Sequence, residues 1–439
     1  MSHSSIRLRR GALFFLAGAL SLAIYVPALS QVKRPADTVA GIPVNYQESK
    51  VGTYTLPEAL LFPDGRRVRT HAEWYDSRRP QILEWYKDDQ FGHAPPAPRR
   101  LNFDVFDKGT AVFGGRALRK QVTVYLTPDT SGAKMDLLIY LPAHASGPVP
   151  VLLTPGFFPN SSRVDDPGVR RGFMWNRDHQ RVPAPVKSPF GEFDVLQLTS
   201  QGFGVAMVYY GDIEPDFAGG IPYGIEGAYL KHGQSTPGPR EWGAIAAWAW
   251  GLGRALDYLQ TDKSVDAKRV ALFGVSRLGK TVLWTAASDP RFALVIASCS
   301  GEGGAALSRR NYGETVAHLT APTRYPYQFC AHYGDFARDV DKLPVDGNML
   351  LSLIAPRPVL LQTGDEDYWS DPKGEFLAAV AASPVFTFLG ASGLGAREWP
   401  PAGKAYLNTL GYYMHHGGHG ALPGDWKVFI AFLNKYLKP

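Results

Sequence analysis

From residue 240 to the C-terminus, apolar runs too short for helices alternate with longer segments of helical spacing, and this rhythm narrows the fold more than any other feature of the chain. Residues 241–259 form a long helical pattern rich in Ala and Trp, 270–273 read as a buried strand, and 280–287 as a helix. Residues 294–298, 359–363 and 385–389 supply further apolar strands, and 426–437 have the spacing of an amphipathic helix. Strands joined through helices pair in parallel and are covered on both faces, because each crossover must pass over the sheet. The expectation is an α/β fold, a three-layer αβα sandwich around a mostly parallel sheet with insertions. Upstream, 119–126 and 135–141 read as paired strands around a turn at 127–132, and 149–154 and 205–210 as two more buried strands. The polar, Pro-rich stretch 157–200 is an insertion long enough to border a site. Residues 31–110 read as an arm packed on the body, with a helix at 72–86 that places Trp74, Ile82, Trp85 and Tyr86 on one face. No repeat or low-complexity linker divides the rest, so 31–439 is expected to be a single domain.

Residues 1–30 have the form of a secretory signal: Arg7, Arg9 and Arg10, then an apolar run over 11–29, then Ala28-Leu29-Ser30 as a small-x-small cleavage site. Cleavage near Ser30 would release a secreted or periplasmic protein with no stable membrane insertion. The chain carries 46 Lys+Arg against 40 Asp+Glu, a net charge of +6, and losing those three arginines leaves 6 − 3 = +3. So small a charge, without basic blocks interleaved with aromatics, gives no case for nucleic-acid binding. Two cysteines cannot staple a fold of this size or build a structural zinc site, and Cys299 and Cys330 read as buried thiols rather than a bridge.

The strand at 270–273 runs straight into Gly274-Val275-Ser276-Arg277-Leu278-Gly279 and then a helix. A serine on such a tight strand–turn–helix corner is lifted above the sheet at a helix N-terminus, the arrangement of a hydrolase nucleophile elbow, although the usual glycine two residues after the serine is here Leu278. A hydroxyl nucleophile needs a base, and the base needs an acid to hold its tautomer. Gly364-Asp365-Glu366-Asp367-Tyr368-Trp369 follows the strand at 359–363, and Gly417-Gly418-His419-Gly420 precedes the last helix, so Ser276, an acid and His419 occur in hydrolase order. A metal site on His415, His416 and His419 is disfavoured, because Gly417 and Gly418 break any helix and no H-E-x-x-H is present. No cofactor is called for.

Gly274-x-Ser276-Arg277-x-Gly279-Lys280 resembles the signature of glucuronoyl esterases, carbohydrate esterase family 15, in the α/β-hydrolase superfamily. The likeness extends through residues 301–315 (GEGGAALSRRNYGET), Ala355-Pro356-Arg357-Pro358, residues 366–372 (EDYWSDP), Gly374-Glu375-Phe376-Leu377, Gly417-Gly418-His419 and the early segment Phe91-Gly92-His93-Ala94-Pro95, so it covers about residues 70–437. It implies a serine esterase that cleaves esters between (4-O-methyl-)glucuronic acid on xylan and lignin alcohols, with glucuronoxylan or lignin–carbohydrate esters as substrate and a monomeric enzyme. It also implies that Arg277 supplies oxyanion contacts through its backbone N–H and, as a second candidate donor, its guanidinium. Lys280 and Glu314 match positions that hold sugar hydroxyls, and Trp369 matches the aromatic residue beside them.

Two departures from the family pattern matter. Fungal members carry the acid two residues before the Gly of S-G-x-G-G, where this chain has Cys299, so the acid must come from elsewhere. Asp367 fits the later-strand position of bacterial relatives best, with Asp365 and Glu302 as competitors. Tyr325-Pro326-Tyr327-Gln328-Phe329 carries Gln328 where the family has Trp before Phe, which leaves that wall of the pocket open. The rival activity is an acetylxylan or other carbohydrate esterase, since one triad serves any acyl group. A non-catalytic polysaccharide-binding protein is the alternative from another class.

Overall fold

The computed structural model describes residues 36–438, so the expected signal sequence lies outside the described residues. A ten-stranded sheet forms the centre. Its strands are β1 (Phe103–Val112), β2 (Ala117–Tyr125), β3 (Lys134–Pro142), β4 (Val149–Gly156), β5 (Gly204–Tyr209), β6 (Val265–Val275), β7 (Leu294–Ser298), β8 (Val359–Gly364), β9 (Ala405–Tyr406) and β10 (Leu410–His415). They lie in the order β1-β2-β3-β5-β4-β6-β7-β8-β10-β9. The six strands from β5 to β10 in that row are mutually parallel, whereas β1–β3 and β9 join antiparallel at the two edges.

Alternating side chains along each parallel strand enter two separate cores. From β6, Val270 and Leu272 pack under one face and Ala271 and Phe273 under the other, and Leu361 and Leu360 of β8 divide in the same way. Helices α1 (Ala244–Leu259), α2 (Arg277–Ser288), α3 (Gly347–Ile354) and α4 (Pro372–Phe388) cover the first face, and α5 (Trp426–Leu437) covers the second through Phe429, Phe432 and Leu433. The result is the expected three-layer αβα sandwich. The helical stretch 71–91 buries Trp74, Ile82, Tyr86 and Phe91 against the first core, with Phe91 stacked on Trp284 of α2 at 4.5 Å between ring centres.

The run 385–389, read from sequence as a strand, instead forms the end of α4. Asp371 caps that helix by accepting from Gly374 N–H at 3.0 Å, and Phe376, Ala379, Ala382, Val385 and Phe386 recur at helical spacing on its buried side. Five apolar residues in a row carry the same short-range signal in a strand and in the last turn of a buried helix. Residues 103–110, assigned by sequence to the arm, lie within edge strand β1, whose exposed Asp, Lys and Thr side chains mask the strand pattern. Strand β10 is fully buried and places His415 in the sheet rather than in a loop.

Candidate active site

Parallel strands present their carboxyl ends at one edge, and β6, β7, β8 and β10 each deliver a polar group there. Ser276 sits between β6 and α2 with φ 60° and ψ −129°, a conformation costly for any residue with a side chain. Its N–H donates to Ser298 C=O of β7 at 2.8 Å, which ties the turn to the neighbouring strand. A Cβ on Gly274 would lie 2.2 Å from Leu278 C=O, and one on Gly279 would lie 2.9 Å from Ser298 C=O. These are the two places where the corner has no room for a side chain. The second glycine therefore follows Leu278 because residue 279 is the one that crosses β7.

The loops after β8 and β10 are stitched together. Asp365 N–H donates to His415 C=O at 3.1 Å and Glu366 N–H to Gly417 C=O at 2.9 Å, while a Cβ on Gly364 would stand 2.3 Å from Gly418 C=O. In that register the carboxylates meet different imidazoles. Asp367 Oδ2 lies 2.7 Å from His419 Nδ1, and Ser370 Oγ is 3.2 Å from the same nitrogen. Asp365 Oδ2 lies 2.9 Å from His416 Nδ1, and its other oxygen accepts from Gly417 N–H. His415, buried, is held by Asp425 at 2.8 Å and by Gly418 C=O at 2.9 Å, so it anchors the glycine turn beneath His419. The three histidines thus go to three separate carboxylates.

Glu302, the other competitor for the acid, is buried and accepts from Ser308 and Tyr333, and burial pushes its carboxyl up to about 8. Burial also acts upward on Asp367, but the hydrogen bond and charge of His419, with help from Ser370 and Cys299, hold it below the ordinary carboxylate value. Cys299 stands at the end of β7 with φ 46°, and its sulfur accepts from Gly420 N–H at 3.3 Å. Cys299 and Cys330 are both free, buried thiols.

Arg277 opens α2. Its guanidinium pairs with Asp216 and lies 4.7 Å over the Tyr325 ring. Asp216 also accepts from Tyr210 at 2.9 Å, Tyr327 at 3.1 Å and Gln328 at 2.7 Å. Burial alone would depress the Arg277 guanidinium, but the Asp216 charge more than reverses that. Gln328, at the position where the sequence departs from the family, thus orients the carboxylate that holds Arg277. Sequence reasoning missed Asp216. The available signal was its place in the segment after β5, at the same sheet edge as the elbow.

Glu314 N–H donates to Trp369 C=O at 2.8 Å, which sets these two side by side, and Glu314 Oε1 accepts from Arg324 at 3.2 Å. Trp369 is half-buried, with Arg324 5.5 Å from its ring. Lys280 is buried one turn into α2, and burial lowers its ammonium while Glu314 acts in the opposite direction. The 157–200 insertion, with the segment after β5, lines a cavity of about 590 Å³ walled by Phe157, Phe158, Trp175, Tyr210, Asp216 and Phe217. Tyr210 and Asp216 are shared with the Arg277 clamp, so the cavity adjoins it. Among the described residues no helix is long and apolar enough to cross a membrane.

Residues 236–390, which carry the elbow, Glu314, Asp367 and Trp369, match the family model described as glucuronyl esterase, fungi. A glucuronoyl esterase from Solibacter usitatus is 41% identical in a solved structure that superposes with a TM-score of 0.85, over 89% of this chain and all (100%) of the other. The chain belongs to the glucuronoyl esterases, carbohydrate esterase family 15. A second member, solved as a promiscuous CE15 esterase from a marine bacterial metagenome, is 40% identical with a TM-score of 0.82, over 90% of this chain and 100% of that one. A 4-O-methyl-glucuronoyl methylesterase 1 from Wolfiporia cocos is 26% identical over 76% of this chain and 72% of its own length.

Proposed function

We propose that this family member is a serine esterase that hydrolyses esters of (4-O-methyl-)glucuronic acid on xylan with lignin alcohols, through an acyl-enzyme. The observation that carries the reading is the 2.7 Å contact between buried Asp367 and Nδ1 of exposed His419, which leaves Nε2 as the ring's free base at the sheet edge that presents Ser276. Ser276 Oγ attacks the ester carbonyl while His419 Nε2 takes its proton and Asp367 stabilises the imidazolium. The alkoxide draws on the Arg277 backbone N–H and on the guanidinium that Asp216 keeps in place. Collapse expels the alcohol, which receives the proton from His419, and a water molecule then repeats the sequence on the Ser276 glucuronoyl ester. Lys280 and Glu314 hold the uronate hydroxyls and Trp369 packs against the ring. Nothing in this chemistry requires a cofactor.

The same reading places the mature protein outside the cytoplasm after cleavage near Ser30, as a monomeric single domain acting on glucuronoxylan or lignin–carbohydrate esters. The test is hydrolysis of benzyl glucuronate beside benzyl acetate and methyl galacturonate. Turnover confined to the glucuronate supports the proposal. Comparable turnover of the acetate would favour a broader carbohydrate esterase, a reading given weight by the relative described as promiscuous. Binding of xylan without any turnover would leave only a polysaccharide-binding role.

A further inference from the structure

The end of β7 and the loops after β8 and β10 bring a thiol, a carboxylate and an imidazole to one point. Cys299 Sγ, one oxygen of Asp367 and one ring nitrogen of His419 all lie within 4.8 Å of one another. Cys299 and Asp367 are buried and His419 is exposed, so a solute can reach the group past the imidazole. A mixed sulfur, nitrogen and oxygen donor set selects soft or borderline divalent cations over magnesium and calcium, which take oxygen ligands. Tetrahedral zinc, with bonds of about 2.3 Å to sulfur and about 2.0–2.1 Å to nitrogen and oxygen, places these ligand atoms about 3.3–3.6 Å apart. The 2.7 Å contact between Asp367 and His419 would open by about half an ångström, and any separation near 4.8 Å would close by about one, within the reach of side-chain rotation.

We propose that Cys299, Asp367 and His419 form a binding site for a soft divalent cation of the zinc or cadmium type, and that filling it switches the esterase off. On binding, the Cys299 thiol gives its proton to solvent, the metal takes the Nδ1 lone pair, and the imidazole proton moves from Nδ1 to Nε2. One proton leaves the protein in total. With Nε2 protonated, His419 has no lone pair for the Ser276 proton. This consequence rests on the catalytic reading above, whereas the binding does not.

Cadmium titrated into the full-length Ser276→Ala protein should produce a thiolate-to-metal charge-transfer band in the near ultraviolet that saturates at one ion per chain. In the wild-type enzyme cadmium and zinc should abolish turnover, a chelator should restore it, and magnesium and calcium should have no effect. Cys299→Ala should remove the band and weaken inhibition, measured against the variant's own metal-free rate, by about tenfold or more. Cys330→Ala should change neither. Should Cys299→Ala fail to fold, Asp367→Asn in the Ser276→Ala background carries the test, because it should weaken cadmium binding by about tenfold while retaining the band. No band in the Ser276→Ala protein, a band that survives Cys299→Ala, or one that disappears with Cys330→Ala would overturn the site. A stoichiometric band without loss of activity would overturn the switch, and with it the role assigned to His419.

Discussion

Replacing Asp367 with Asn tests the least conventional feature of the site. The substitution keeps shape and removes charge. When His419 becomes an imidazolium, its charge and that of Asp367 are centred about 4 Å apart, which at an effective dielectric constant near 20 is worth about 4 kcal/mol. In the resting enzyme the ring is neutral in the mechanism, so nearly all of this stabilisation applies to the transition state, and about 4 kcal/mol corresponds to about a 10³-fold loss of kcat. That lies within the range of about 10²–10⁴ expected on neutralising the orienting acid of a triad. KM should change little, because the carboxylate faces the imidazole. Two companion variants set the scale. His416 is 80% exposed, so its pair with Asp365 is screened by water, and Asp365→Asn should cost about threefold or less. Glu302→Gln, remote from His419 in its hydrogen bonds, should cost a similar small factor. The assay is kcat and KM on benzyl glucuronate for the three variants, with thermal melts to verify folding. A folded Asp367→Asn enzyme that keeps more than about a tenth of wild-type kcat, or an Asp365→Asn enzyme that loses as much as Asp367→Asn, would refute the assignment.

Ser276→Ala should reduce turnover by about 10⁴-fold or more with a nearly unchanged melt, since only a half-buried hydroxyl is lost, and retention of about a tenth of wild-type activity would remove Ser276 from the mechanism. Lys280→Ala and Glu314→Ala should weaken glucuronate esters far more than aryl acetates, which lack the hydroxyls those groups are proposed to bind; equal losses on both would mark them as structural. Burial raises the Glu302 and Glu375 carboxyls from 4.5 to about 8, so in the folded protein both keep their protons at pH values where the unfolded chain has lost them. Their contribution to stability is therefore complete below pH 4.5 and is lost as the pH rises toward about 8. The melting temperature should fall across that window, and Glu375→Gln should flatten the slope; a slope the same as wild type would contradict this account.

Much of the site was legible because its parts have short-range signatures. Gly274 and Gly279 around Ser276 record a steric limit, and a glycine-flanked histidine before the last helix marks a loop that can carry a base. The αβα layering followed from strands such as 294–298, whose apolar character reflects burial on both faces. What escaped the sequence depends on contacts across long separations. Asp216 lies 61 residues from Arg277, and nothing near it announces that it accepts four donors. In the sequence Asp367 is favoured on resemblance alone, and its contact with His419, where Asp365 meets His416, comes from backbone bonds between 365–366 and 415–417 that exist only once β8 and β10 pair. The misread run at 385–389 belongs to a helix whose cap stands 14 residues upstream of Val385, beyond the reach of a local apolar pattern.

The sulfur of Cys299 and the carboxylate of Asp367 approach the same imidazole from the ends of two adjacent strands, β7 and β8. By resemblance, the fungal members keep their acid at the first of these positions, whereas this chain offers one only at the second. The histidine loop faces both strand ends, with the Cys299 sulfur and an Asp367 oxygen each within 4.8 Å of a His419 ring nitrogen. On the proposed mechanism, the sheet thus offers two positions, one strand spacing apart, from which an acid could face the His419 ring. A lineage could occupy the second before vacating the first, and each intermediate enzyme along that route would retain a carboxylate on its histidine.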